Sequence, residues 1–417
     1  MKMEVNMVFK PKINYVILLF VVFGGFLIFG LSENVKGPAL PSMEKDFSLN
    51  ETQLGLLLAL NSLGYLLACS FTSFLTNKIG MKLTGILAFA SMAVSGIFLY
   101  LSQGYISLIA SYFLLYIGNG MLEIGLGIMA AHIFTKNTGT MMNLSHFFYG
   151  LSSVGAPVIG ASLMGWNLLD GELGWRGMYL IILSLSILPI IPALLGKFPK
   201  INQGENEGES ISFRGLIRDP IAWLIVGVLS FGVVSELAVG SWLVYYLQHA
   251  YEWSLKRASE MLSLFFIFFT LARLFAGPIT DKIGYTFSIM LFSAFSGICS
   301  LVAVLVGEPG AILFAIAGVG IAPIYPTVMA LLAKRYTKGI GVAMTFTVTL
   351  MGIASVIGNM LIGVIISSVN QYFGKGQVGN LLGLQAGYIF IATLAILCSL
   401  CCVVLYRKLR VQEGGVI

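Results

Sequence analysis

Apolar residues run along the chain in blocks of roughly 18 to 25, each long enough for a helix to cross about 30 Å of hydrocarbon. Twelve blocks stand out, at about 14–40, 52–75, 82–102, 105–134, 140–167, 175–196, 219–249, 255–279, 285–306, 309–335, 338–370 and 380–408. The longest polar interruption, "KFPKINQGENEGESISFRGLIRDP" from Lys197 to Pro220, falls near the middle of the 417 residues and reads as a flexible linker. The pattern predicts an all-α integral membrane protein with twelve transmembrane helices. Its expected parts are an N-terminal six-helix half at 1–196, a linker at 197–218 and a C-terminal six-helix half at 219–417.

Composition agrees: 58% of residues are hydrophobic and only 10% are charged, where soluble domains carry about a quarter charged residues. Charge then sets orientation, because cytoplasmic loops and tails keep Lys and Arg. With both termini inside, most of the 24 basic residues fall on the cytoplasmic side, among them Lys10, Lys12, Lys78, Lys82, Lys197, Arg214, Arg218, Lys282, Lys334, Arg335, Arg407, Lys408 and Arg410. The net charge of +6 is accounted for by this bias, and no nucleic-acid partner is expected. Cys69, Cys299, Cys398, Cys401 and Cys402 all lie in apolar spans without metal-ligand spacing, so free thiols and no metal site are expected. A phosphate-binding GxxxxGK[ST] string is missing, which argues against ATP-driven transport, and no pattern points to an enzyme or a cofactor.

Features of the first half return about 200 residues later, the signature of an internal repeat. "TNKIG" at Thr76 recurs as "TDKIG" at Thr280, "GNG" at Gly118 as "GVG" at Gly318, and "GLSSVGAPVIG" at Gly150 is echoed by "GIASVIGNMLIG" at Gly352. "SEN" at Ser32 matches "SEL" at Ser235, aligning Glu33 with Glu236. Two parallel six-helix repeats predict a substrate cavity at their interface near mid-membrane.

Ionisable groups within a span cost about 2.5 to 3.5 kcal/mol on insertion scales, so each needs a partner or a function. In the fourth span Glu123 shares a helix face with Asn119 and Gly127, and a carboxyl so placed can link protonation to substrate binding; packing as a protonated interhelical group is the bland alternative. Asn143, His146 and Gly150 form a second polar stripe on the fifth span, suited to hydroxyls or to interhelical bonding. Glu33 and Asn34 sit near the outer end of the first span, where Gly37, Pro38 and Pro41 are expected to interrupt the helix and Lys36 can pair with Glu33. Glu236, Trp242 and Tyr245 are candidates for a substrate-contacting face on the seventh span, with an interfacial aromatic belt the alternative for the two aromatic residues, and Tyr246 reads as part of such a belt. Tyr325, flanked by Pro323 and Pro326, is a candidate contact at a kink. Arg273 and Asp281 read as gating structure toward the cytoplasmic end of the eighth span, with Arg273 bonded to an acid or a helix end.

"GPITDKIGYTFS" at Gly277 resembles the signature of the major facilitator superfamily, although the first copy has Asn77 where the superfamily usually carries an acid. "GNGMLEIGLG" and "NLSHFFYGLSSVGAPVIG" resemble the fucose permease and glucose/mannose permease group of proton-linked sugar symporters. The resemblance implies proton coupling at Glu123 and Glu33, a sugar or similar small polar solute as substrate, and a monomer in a bacterial plasma membrane driven by the proton gradient without cofactor. A drug/proton antiporter shares that fold and acid, and a non-transporting sensor is the alternative of another class. The expected function is proton-coupled import of a polar solute.

Overall fold

The computed structural model describes residues 11–134, 138–168, 171–199, 213–336, 340–374 and 376–412. The first half contains α1 (Pro11–Asn34), α2 (Lys36–Phe47), α3 (Glu51–Ile79), α4 (Met81–Tyr100), α5 (Tyr105–Ile133), α6 (Thr138–Met164), α7 (Gly174–Ser184) and α8 (Ile187–Leu195). A short helix, α9 (Phe213–Arg218), lies within the stretch read as the linker. The second half follows with α10 (Pro220–Tyr251), α11 (Leu255–Ile283), α12 (Tyr285–Val306), α13 (Ile312–Ile321), α14 (Ile324–Arg335), α15 (Ile340–Phe373) and α16 (Gln377–Gln412). Among the described residues twelve helical spans are long and apolar enough to cross a membrane. Large apolar side chains such as Phe20, Phe74, Phe275 and Leu305 face outward, as lipid contact requires. Among the described residues the β structure is confined to a two-stranded ladder, β1 (Asn167–Leu168) with β2 (Gly171–Glu172), between the fifth and sixth spans.

Three spans are broken rather than straight. The sixth is shared by α7 and α8, and the tenth bends at Ala322 and Pro323 between α13 and α14. The first bends at Val35, but the prolines expected to end it do not: helix resumes at Lys36 and runs to Phe47. Pro38 stands in the first turn of α2, where a missing N–H is tolerated, and only Pro41 is interior.

The repeat is visible in backbone geometry. Gly80 and Gly284 end α3 and α11 at φ of 88° and 87°, a conformation that favours glycine. Their N–H groups donate to the carbonyls of Thr76 (2.9 Å) and Thr280 (3.0 Å). The hydroxyls of Thr84 (3.0 Å) and Ser288 (2.7 Å) then donate to the carbonyl oxygens of the two glycines.

The halves meet along α2 against α10, α3 against α15 and α6 against α11. At the α3–α15 crossing a Cβ on Gly363 would lie 2.2 Å from the Glu51 carbonyl oxygen, and one on Gly55 would lie 2.9 Å from that of Asn359. No side chain fits there. Hydrogen bonds between the halves among the described residues join Glu44 to Tyr245, Glu51 to Asn370, and Ser62 to Asn359. The first two bonds seal the end of the bundle remote from the linker, whereas Ser62–Asn359 lies deeper, on the wall of the central space.

Candidate functional site

Beneath that seal lies a central cavity of about 200 Å³. Side chains from α1, α2, α3, α5, α6, α10, α11, α14 and α15 line it, while α4, α7, α8, α12 and α16 contribute none. Both halves thus present comparable faces to one space, as a parallel repeat demands.

Among the described residues five charged ones reach the cavity: Glu33, Lys36, Glu123, Glu236 and Arg273. Four are paired. Glu33 and Lys36 flank the bend at Val35 and are in direct contact, with 9% of each side chain exposed. The Lys36 ammonium also lies 5.5 Å from the centre of the Tyr116 ring. Asn119 donates through Nδ2 to Glu33 (3.3 Å) and accepts through Oδ1 from the Ser32 hydroxyl (2.8 Å), which fixes the carboxylate's orientation. In the other half an Arg273 guanidinium nitrogen lies 3.8 Å from Glu236. The Arg273 Nε donates to the Ala322 carbonyl (3.1 Å), a group at the break between α13 and α14, and the guanidinium lies 4.2 Å from the Phe269 ring centre.

Glu123 differs. Its Oε2 is buried without a hydrogen-bond partner among the described residues, and no cation pairs with it there. His146 and Tyr325 complete this side of the cavity, with the imidazole packed on Phe26 at 5.2 Å between ring centres.

Other sequence-derived candidates are placed elsewhere. Asn34 donates to Gly30 and to the Ser153 hydroxyl (2.9 Å), tying α1 to α6 outside the cavity lining. Asn119 acts on Glu33 rather than lining the space. Asn143 lies on α6, but its side chain falls outside the described residues. Asp281 is exposed in the last turn of α11, whereas Arg273, two turns earlier, lines the cavity and is bonded to an acid and to a helix end, as expected.

Trp242 and Tyr245 also lie outside the lining and belong to the seal. They pack edge to face, and the Tyr245 hydroxyl donates to Glu44 (3.0 Å), which lies 3.0 Å from His249 Nε2. Tyr246 is buried against Tyr388 and Phe314 instead of standing in a lipid-facing belt. Since Glu44 alone supplies both polar contacts, Glu44→Ala is expected to loosen the seal. A cysteine replacing cavity-lining Ser241 should then react about tenfold faster with a membrane-impermeant thiol reagent applied from the remote side. An unchanged rate would remove Glu44 from the seal.

Sequence reading missed Asn61, Ser62 and Tyr65 on α3 and Ser355 and Asn359 on α15, all of which line the cavity. Their signal was modest: uncharged polar residues inside apolar spans.

The sequence model of the Major Facilitator Superfamily matches residues 22–358 and also 236–416, which takes in both halves. The chain belongs to the Major Facilitator Superfamily. An uncharacterised MFS-type transporter of Yersinia pestis is 26% identical over 359 residues, 84% of this chain and 89% of the relative. Among solved structures, the nucleoside transporter NupG superposes with a TM-score of 0.78 at 13% identity, covering 94% of this chain and 100% of that one. The E. coli fucose:proton symporter FucP gives 0.62 at 17% identity, over 94% and 99% respectively. This Major Facilitator protein is accordingly a multi-pass membrane transporter and not an enzyme.

Proposed function

We propose that this Major Facilitator protein imports a neutral polar solute, such as a sugar, together with a proton. The reading rests on one observation: of the three acids in the cavity, Glu123 alone lacks a cationic partner among the described residues. The Glu33–Lys36 and Glu236–Arg273 pairs each sum to zero charge. The protonation state of Glu123 therefore sets the net charge of the cavity lining when His146 is neutral. A closed cavity carrying an uncompensated charge is costly to form in the low-dielectric interior of a membrane protein. Proton binding at Glu123 lifts that cost without demanding a charged substrate. A neutral solute and a proton can thus cross together while the carboxylate alone resists closure.

Positive-inside orientation would put the linker end in the cytoplasm, so the remote seal would close the external side and describe an inward-facing state. The halves would then rock about the cavity, with the proton gradient supplying the energy.

A second reading is supported by Phe26, Phe29, Val348 and Met351, whose apolar surfaces would suit a lipophilic substrate of a drug/proton antiporter. Purified protein in liposomes, with an imposed pH gradient acid outside, separates the two. The symport reading expects accumulation of a labelled neutral sugar that a protonophore abolishes. Gradient-dependent movement of lipophilic cations, with no sugar uptake, would favour antiport and contradict symport.

A further inference from the structure

Neither the charged residues nor the repeat explains the polar surface at the α3–α15 crossing. Asn61 is only 2% exposed and lines the cavity, yet neither Oδ1 nor Nδ2 has a partner among the described residues. Exchanging the two atoms by an amide flip leaves the same deficit. Facing it from the other half, Asn359 is held through Nδ2, which donates to Ser62 Oγ (3.1 Å) and to the Ser355 carbonyl (3.1 Å). Its Oδ1 is buried without a partner. Three amide atoms, two acceptors and one donor, thus stand unmatched on two residues that line the same cavity.

Unpaired buried amides are costly unless a ligand pairs with them. The set carries no formal charge, so it does not select an ion. We propose that Asn61 and Asn359 form a subsite for two adjacent hydroxyl groups of the transported solute, each hydroxyl donating to one amide oxygen while Asn61 Nδ2 donates to a hydroxyl oxygen. The proposal rests on the symport reading and narrows its substrate class to polyhydroxylated neutral solutes. It also gives the site a mechanical consequence. Asn61 belongs to the first half and Asn359 to the second, at the crossing drawn close by Gly55 and Gly363. A solute spanning both amides links the halves in the sealed state.

The test uses wild-type and Asn61→Ala protein in liposomes under an acid-outside pH gradient. The probe is whichever of glucose, mannose, galactose or fucose the wild type accumulates, together with its monodeoxy derivatives. In the wild type, deleting either of two adjacent hydroxyls should raise KM about tenfold. In Asn61→Ala the KM of the parent sugar should itself rise about tenfold, and the penalty for at least one of those deletions should shrink to about twofold or less. Asn359→Ala should erase the penalty for the other hydroxyl only. Because each penalty is a ratio of KM values within one preparation, a smaller folded fraction does not change it. Penalties identical in wild type and Asn61→Ala would overturn the subsite while leaving symport standing. Failure of the wild type to accumulate any of these sugars would overturn the sugar-symport reading and the subsite with it.

Discussion

Replacing Glu123 by Gln is expected to abolish gradient-driven accumulation, by at least about a hundredfold, while leaving exchange of labelled for unlabelled solute across the membrane. Gln occupies nearly the same volume and offers hydrogen-bonding groups but cannot take up or release the proton. Its neutral side chain mimics protonated Glu123, so the cavity can still close around solute. The hundredfold figure corresponds to about 2.7 kcal/mol, within the range of coupling energies between linked sites. Counterflow in proteoliposomes with and without a pH gradient reads both activities. Full accumulation by the Gln variant would place the coupled proton elsewhere. Loss of both activities would show that Glu123 serves substrate binding or folding rather than coupling alone.

The second large effect concerns the Glu33–Lys36 pair. Both side chains are 9% exposed, so removing one partner leaves a buried charge that water cannot solvate well. Lys36→Met is expected to cost about 3 kcal/mol of stability, the lower end for a broken buried pair. The double variant Lys36→Met, Glu33→Gln should regain most of it, because no charge is then stranded. Thermal unfolding of the purified protein in detergent measures both. If the single variant melts with the wild type, the pair contributes nothing to the fold. If the double variant melts no higher than the single, Lys36 stabilises through its contact with the Tyr116 ring rather than through its pairing with Glu33.

Much of the architecture could be read along the chain because membrane burial imposes a simple rule on long segments. Uncharged apolar runs predict spans, and the linker and the paired "TNKIG" and "TDKIG" strings predict two related halves. Glu33, Glu123 and Glu236 stood out because acids in hydrocarbon demand a reason, and all three line the cavity. Arg273 stood out equally, and a bond to an acid or a helix end was expected of it, but which acid was not legible. Its partner Glu236 lies on another helix, and spacing along α11 carries no information about that contact.

The same limit explains Trp242 and Tyr245. A periodic face on α10 can be identified from sequence, but its upper part is covered by α2, whose extension past Pro38 and Pro41 was not anticipated. Asn61 and Asn359 were passed over because an amide in a span is cheaper than a charge and attracts less notice. What marks them is the lack of partners at a crossing between residues almost 300 positions apart, which only three-dimensional packing reveals.

Symport requires that solute and proton move together through one cavity. Simultaneous recording of labelled-sugar entry and external pH, in lightly buffered liposomes with no gradient but that of the solute, tests it most directly. Inward sugar flow is expected to alkalinise the medium through wild-type protein and to leave it unchanged through Glu123→Gln. Sugar entry through the wild type with no accompanying proton movement would contradict it.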